Sequence, residues 1–409
     1  MVYSLRLTGS RTKSLELQSY LIVAFLSLPS LLSFLSNYNI PSFVLNITIA
    51  IILYIPLVFG VINGTIKINL LCFLLFLIAF VYVICCFKGL VDFREVYNSE
   101  TNGVSARILT FTSSIFGLLF FGIRYCINNL KKGMLIAAYI NLVICIFRFF
   151  FVTIRGNEFV NNGYDMNFGY TLLFPLLCFL VFYFLNKKKT YLLISIICFL
   201  FVLFFGSRGP ILCVAIFLIL YFLFVYLKKA TSDKKISIII IISIIVLFTV
   251  AIYKFVIPLL DLSFLPRSIL YVINSDYFST ATDSGRQIIL QDLSPYLSNA
   301  PFFGYGLLAD QGFLGVGKYS HNIFYEMIIT FGRVPGILML VLIALLSLRV
   351  FFKKNVSLEA KLIFIMFWSF SFGRLLVSNS FWYETFFWCC IAMGIVIVSK
   401  RGTFLNERK

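Results

Sequence analysis

The chain reads as an all-α integral membrane protein with about 12 transmembrane helices and one large outer loop containing short interfacial helices. Three observations predict it. Of 409 residues, 61% are hydrophobic and only 12% are charged, with mean hydropathy +1.00, more apolar surface than a soluble domain can bury. Apolar runs of about 20 residues, the length that crosses a bilayer as a helix, recur along the chain. Lysines concentrate in every second connection between those runs.

The first run, 19–36, lacks a small-residue cleavage site and is followed by more spans, so a retained helix is expected rather than a signal peptide. Further spans are expected at 41–62, 68–87, 108–128, 133–154, 167–185, 190–205, 209–227 and 236–257. The segment 259–320 is polar by comparison. It is too short and too apolar to be a separate domain, so residues 1–409 form a single polytopic unit with 259–320 as a long loop between spans. Within the loop, Asp283 or Ser284 can cap a helix to about Tyr296, where Arg286, Ile289, Leu290, Leu293 and Leu297 recur at helical spacing. That face is expected on the membrane surface. Ala300–Gly306 turns the chain, and Gly312, Gly315 and Gly317 loosen it before Ser320 caps a short helix, 321–331, ending at Gly332. Pro335 opens the next span, 334–352, and 360–378 and 381–398 complete the set.

Charge orients the chain. The segments 6–13, 131–132, 187–189, 228–235, 353–354 and 400–409 fall on one side, which is cytoplasmic by the positive-inside rule, and both termini lie there. That side holds 22 of the 34 basic residues and 4 of the 16 acids. The formal net charge of +18 is thus a topology signal, and no nucleic-acid partner is implied. Most outer basic residues are arginines, among them Arg155, Arg208, Arg286 and Arg374. A guanidinium binds phosphate or carboxylate bidentately, whereas lysine offers a point charge. Singly, such arginines most often pair with acids; as a set they favour a phosphate site. Arg286 near a helix N-terminus suits an anion, and Gly206-Ser207-Arg208-Gly209-Pro210 holds Arg208 at the outer membrane edge. Arg374 is close in depth to Asn379, Trp382 and Glu384, and Arg148, among Phe147, Phe149, Phe150 and Phe151, needs a partner or a job.

All ten cysteines lie in or beside apolar spans, so neither a disulfide framework nor a metal site is expected. No Asp-x-Asp pair occurs, which argues against a metal-bound nucleotide-sugar donor. His321 is the only histidine, at the point where the loop re-enters the membrane. Imidazole titrates near neutrality and can act as a general base, although a helix-end histidine bonded to backbone is an equally common role.

Arg155 with Asn167, then Ser207-Arg208-Gly209 between two spans, then a loop with Ser284-Gly285-Arg286, Gly304-Tyr305-Gly306 and His321-Asn322, resembles the O-antigen polymerase and O-antigen ligase superfamily. The resemblance runs from about 150 to 390 by short motifs; the first 100 residues carry none. Tyr164-Asp165-Met166-Asn167 stands where the family often has Asn-Pro-Asn. The resemblance implies an enzyme that polymerises undecaprenyl-diphosphate-linked repeat units into O-antigen or a related surface polysaccharide. It acts at the periplasmic face of the cell inner membrane, without metal or cofactor and with inversion at the anomeric carbon. His321 is then the base. Arg155, Arg208 and Arg286 hold the diphosphate, with Arg286 also catalytic, and Asn167, Tyr305, Asn322 and Arg374 are candidate substrate contacts. Partners are the lipid-linked glycans, membrane lipids and a chain-length regulator protein. The alternatives are an O-antigen ligase acting on lipid A core, and, from another class, a lipid-linked oligosaccharide flippase or transporter. A flippase implies two similar halves and short outer loops, and no internal repeat is visible.

Overall fold

A computed structural model describes residues 16–28, 30–31, 34, 48, 50–92, 114–123, 125–154, 166–205, 208–227, 286–315 and 319–399. Among these the secondary structure is helical, with one isolated β-bridge, Ile68–Ile123. In chain order the helices are α1 (Glu16–Leu28), α2 (Ile55–Ile62), α3 (Leu70–Asp92), α4 (Gly117–Phe121), α5 (Ile127–Arg148), α6 (Met166–Asn186) and α7 (Lys189–Phe205). They continue with α8 (Arg208–Tyr221), α9 (Arg286–Ser298), α10 (Ala309–Leu314), α11 (Ile323–Phe331), α12 (Arg333–Phe352), α13 (Leu358–Leu375) and α14 (Thr385–Val398). Wider π turns, Phe149–Ile154 and Phe222–Tyr226, extend α5 and α8.

Among the described residues four helical segments are long and apolar enough to cross a membrane: Ile127–Phe151, Phe168–Asn186, Gly209–Tyr226 and Arg333–Phe352. Shorter apolar helices accompany them, including Lys189–Phe205 and Thr385–Val398. The expected span 236–257 and the loop segment 259–285 lie outside the described residues. The helix α13 is the hub. Nearly every residue from Ala360 to Leu375 is buried, as expected of a helix that is apolar all round and packs on several sides, against α8, α14 and α6.

The expected span 108–128 is not one helix. Among its described residues the helix Gly117–Phe121 ends at Gly122, and α5 starts anew at Ile127, six residues before the start read from the sequence. The reason is tertiary. The Gly122 carbonyl accepts from the Asn69 N–H at 2.8 Å, and the Cys126 N–H, in extended backbone, donates to Gln18 Oε1 at 3.2 Å. These groups satisfy each other across the bundle instead of within one helix.

The helices α9, α10 and α11 form a small core of their own. Leu293 of α9, Ala309 and Leu314 of α10 and Ile329 of α11 are buried together, with Ile289 and Leu297 against them. Ile289, Leu293 and Leu297 of the expected face of α9 therefore pack on protein, while Leu290 of the same face stays exposed. The C-terminal carbonyls of Leu297 and Ser298 are taken by Arg333, which pins α9 to the start of α12.

Candidate functional site

His321 sits on the connection between α10 and α11 with φ of +52°, the left-handed region that costs a side-chain-bearing residue. Contacts on both sides hold it there. The Ser320 N–H donates to Asp310 Oδ2 at 2.8 Å, and Asn322 Oδ1 accepts the Phe324 N–H at 2.8 Å. The cap of α11 is thus Asn322, two residues later than the expected Ser320, because His321 at φ +52° lies outside the helical region and the helix cannot start there. Gly312 falls inside α10, so it is helical rather than a loop hinge.

A second clamp joins α11 to the segment after α13. Buried Glu326 accepts from Ser380 Oγ and from the Phe381 N–H. The same segment carries Ser378 and Asn379. Ser378 Oγ and Tyr170 Oη are 2.6 Å apart, and the Ser378 carbonyl accepts from Tyr319 Oη. The Tyr319 ring lies 3.9 Å from the His321 ring, centroid to centroid. Tyr170 in turn carries the Arg374 guanidinium over its face at 4.5 Å. Arg374 Nη1 donates to Glu384 Oε2 at 3.1 Å, Asn379 Nδ2 joins the same oxygen at 2.9 Å, and Glu384 also caps α14 through the Phe386 N–H. Arg374, Arg148, Tyr170, Asn141 and Glu384 line a cavity of about 320 Å³.

The other sequence-predicted residues divide three ways. Arg155 lies outside the described residues. Arg208 and Arg286 are the first residues of α8 and α9, and Asn167 is the second of α6; their backbone positions alone are described. The start of α8 lies against Tyr170, since a Cβ on Gly209 would fall 1.8 Å from Tyr170 Oη. Arg208 is therefore adjacent in sequence to a residue that packs on the His321–Arg374 cluster. Tyr305 faces α9 and α10: its hydroxyl donates to the carbonyls of Asn299 and Tyr296 at 3.2 and 3.4 Å, and its ring meets Tyr296 and Phe313 edge-on. Its turn docks on the end of α11, with Tyr305 N–H donating to Ile329 O at 2.8 Å. Gly304 and Gly332, at φ +73° and +90°, meet backbone to backbone there; a Cβ on Gly332 would fall 2.0 Å from Phe302 O.

Tyr170, Tyr319, Asp310, Glu326 and Ser378 are the residues that sequence reading missed. The one visible signal was Glu326, an acid inside the apolar run Ile323–Phe331. Burial pushes the Asp310 carboxyl up, against the Ser320 N–H that holds it down. Burial, and then the charge of Asp310, push Glu326 well above the usual carboxylate range. Both acids bind protons more tightly folded than unfolded. The stability they contribute is full below the ordinary carboxylate range and is lost as pH rises through the raised folded values. Detergent-solubilised protein should therefore lose thermal stability as pH rises above the ordinary carboxylate range, and Glu326→Gln should flatten that loss. Equal slopes in the two proteins would refute the assignment to Glu326.

Residues 192–341 match the model of the O-antigen ligase family. No curated protein and no solved structure matches the chain. The matched stretch runs from α7 into α12 and contains Arg208, Arg286, Tyr305, His321 and Asn322; Arg155, Asn167 and Arg374 lie beyond it. It supports the O-antigen ligase and polymerase superfamily, with glycosyltransferase-type activity on lipid-linked glycans, and does not separate polymerase from ligase.

Proposed function

We propose that this chain polymerises undecaprenyl-diphosphate-linked repeat units at the periplasmic face of the inner membrane, with 259–320 outside and both termini cytoplasmic. The observation that carries the reading is the single imidazole of His321, held in a strained backbone conformation by contacts on both sides, inside the stretch that matches the family. Strain of this kind persists where surrounding structure over-determines it, which is common at reactive groups.

In the proposed step a hydroxyl of one repeat unit attacks the anomeric carbon of another. The new glycosidic C–O bond forms as the bond to the diphosphate breaks, with inversion. His321 takes the hydroxyl proton, and undecaprenyl diphosphate leaves with the bonding pair. Arg208, Arg286 and Arg155 would stabilise the charge that grows on the leaving group, which fixed cations near a low-dielectric boundary do better than water. Tyr305, Asn322, Asn167 and Arg374 are proposed substrate contacts, and a chain-length regulator is a proposed partner.

The ligase character of the matched family favours one second reading, a ligase that moves the finished chain to lipid A core. Gene deletion followed by electrophoresis of surface polysaccharide separates the two. A polymerase deletion should lose the ladder and retain core carrying one repeat unit. Bare core alone would indicate the ligase, and an intact ladder would sink both.

A further inference from the structure

We propose that Tyr319 is the positioning residue of His321, and that Ser378 and Tyr170 tie this pair to Arg374, so that base and guanidinium are held as one unit. The proposal rests on the glycosyl-transfer reading above. Its geometric half can be tested without that reading.

The backbone on either side of His321 is fixed by Asp310 and by the Asn322 cap. Backbone contacts do not set the rotation of the imidazole about its own side-chain bonds. The Tyr319 ring does, from 3.9 Å away and tilted 39° to it. That ring is itself anchored, because its hydroxyl donates to the Ser378 carbonyl, 59 residues away in sequence. The Ser378 hydroxyl shares a 2.6 Å hydrogen bond with Tyr170 of α6, and the Tyr170 ring carries the Arg374 guanidinium. The unbroken series is His321, Tyr319, Ser378, Tyr170, Arg374. It joins the α10–α11 connection, the segment after α13, and α6. The missing side chain of Gly209 lets the start of α8 close against it.

Two consequences follow for the chemistry. A base whose ring turns freely meets the acceptor hydroxyl less often in an attacking geometry, and misplacement by about 1 Å can cost ~10²-fold. The aromatic face also favours the imidazolium that forms when His321 takes the proton, by the cation–π attraction that already holds Arg374 on Tyr170.

His321 is the only histidine in the chain, so reagents selective for imidazole report on this residue alone. Full-length protein, purified without a histidine tag, should be carbethoxylated by diethyl pyrocarbonate several-fold faster as Tyr319→Leu than as wild type, with Tyr319→Phe between them. In steady-state assays with a lipid-linked repeat unit, Tyr319→Phe keeps the stack and loses the hydrogen bond, and kcat should fall ~10-fold with donor KM unchanged. Tyr319→Leu should lose ~10²-fold. Tyr170→Phe should act like Tyr319→Phe, and the double variant should lose less than the product of the two, because both cut one series. In a His321→Asn background Tyr319→Phe should change nothing further. Unaltered carbethoxylation of Tyr319→Leu, or the same loss from Tyr319→Phe with and without His321, would overturn the positioning role while the base assignment stood. A fully active His321→Asn would overturn the base assignment and the catalytic half of this proposal with it. The carbethoxylation result would then decide the geometry alone.

Discussion

Replacing His321 is expected to slow polymer formation by ~10²–10⁴, the usual share of a general base. The choice of substitute matters. At φ of +52° an alanine is strained, whereas asparagine tolerates the left-handed region. His321→Asn therefore removes the base and keeps the backbone, and His321→Ala removes both. Both variants should insert in the membrane and still bind lipid diphosphate, because the proposed phosphate ligands are arginines on other elements. Loss should appear in kcat at matched protein levels. A His321→Asn enzyme within twofold of wild type would return the imidazole to a structural role at the start of α11 and leave catalysis to the arginines.

The second large effect is on stability. Glu384→Ala is expected to destabilise the protein by ~3–5 kcal/mol, the cost of breaking a buried ion pair from one side. Glu384 is 1% exposed and accepts from Arg374, Asn379 and the Phe386 N–H. Its removal strands the Arg374 guanidinium above Tyr170 without a counter-charge and uncaps α14. The paired change Arg374→Met with Glu384→Gln should recover much of the loss, since the charge and its partner go together. Thermal unfolding in detergent reads both. A Glu384→Ala protein as stable as wild type would mean that solvent or lipid serves Arg374 equally well. Recovery of stability without recovery of turnover in the paired variant would assign Arg374 a part in the reaction.

The sequence made some of this legible and concealed the rest for physical reasons. Where an apolar run is bounded by polar turns, as at Phe168–Asn186 and Arg333–Phe352, the helix is recoverable within a residue or two. The break between α4 and α5 was not, because the run Phe116–Ile127 is apolar throughout apart from Arg124. What divides it is long-range bonding to Asn69 and Gln18. Ser320 and Asn322 are both good N-caps, and the left-handed backbone of His321 between them decides for Asn322. The proximity of Arg374 to Asn379 and Glu384 was readable from their common depth at the facing ends of two consecutive expected spans. The link from Tyr170 to Ser378 spans 208 residues and leaves no local trace. The α9 face was correctly periodic, yet periodicity does not say whether lipid or protein covers it.

The contact between Gly304 and Gly332 has a consequence for how this protein can diversify. Main-chain atoms alone set the spacing between the 301–306 turn and the end of the helix that follows His321. On that turn the side chains of Phe302 and Phe303 are 59% and 80% exposed. Mutations at those two positions alter the surface offered to an incoming molecule without changing the spacing beneath it. Change at either glycine moves the spacing itself, and no second side-chain substitution can restore it. The turn thus separates positions where a side chain can change on the surface from positions where any side chain displaces the main-chain contact itself.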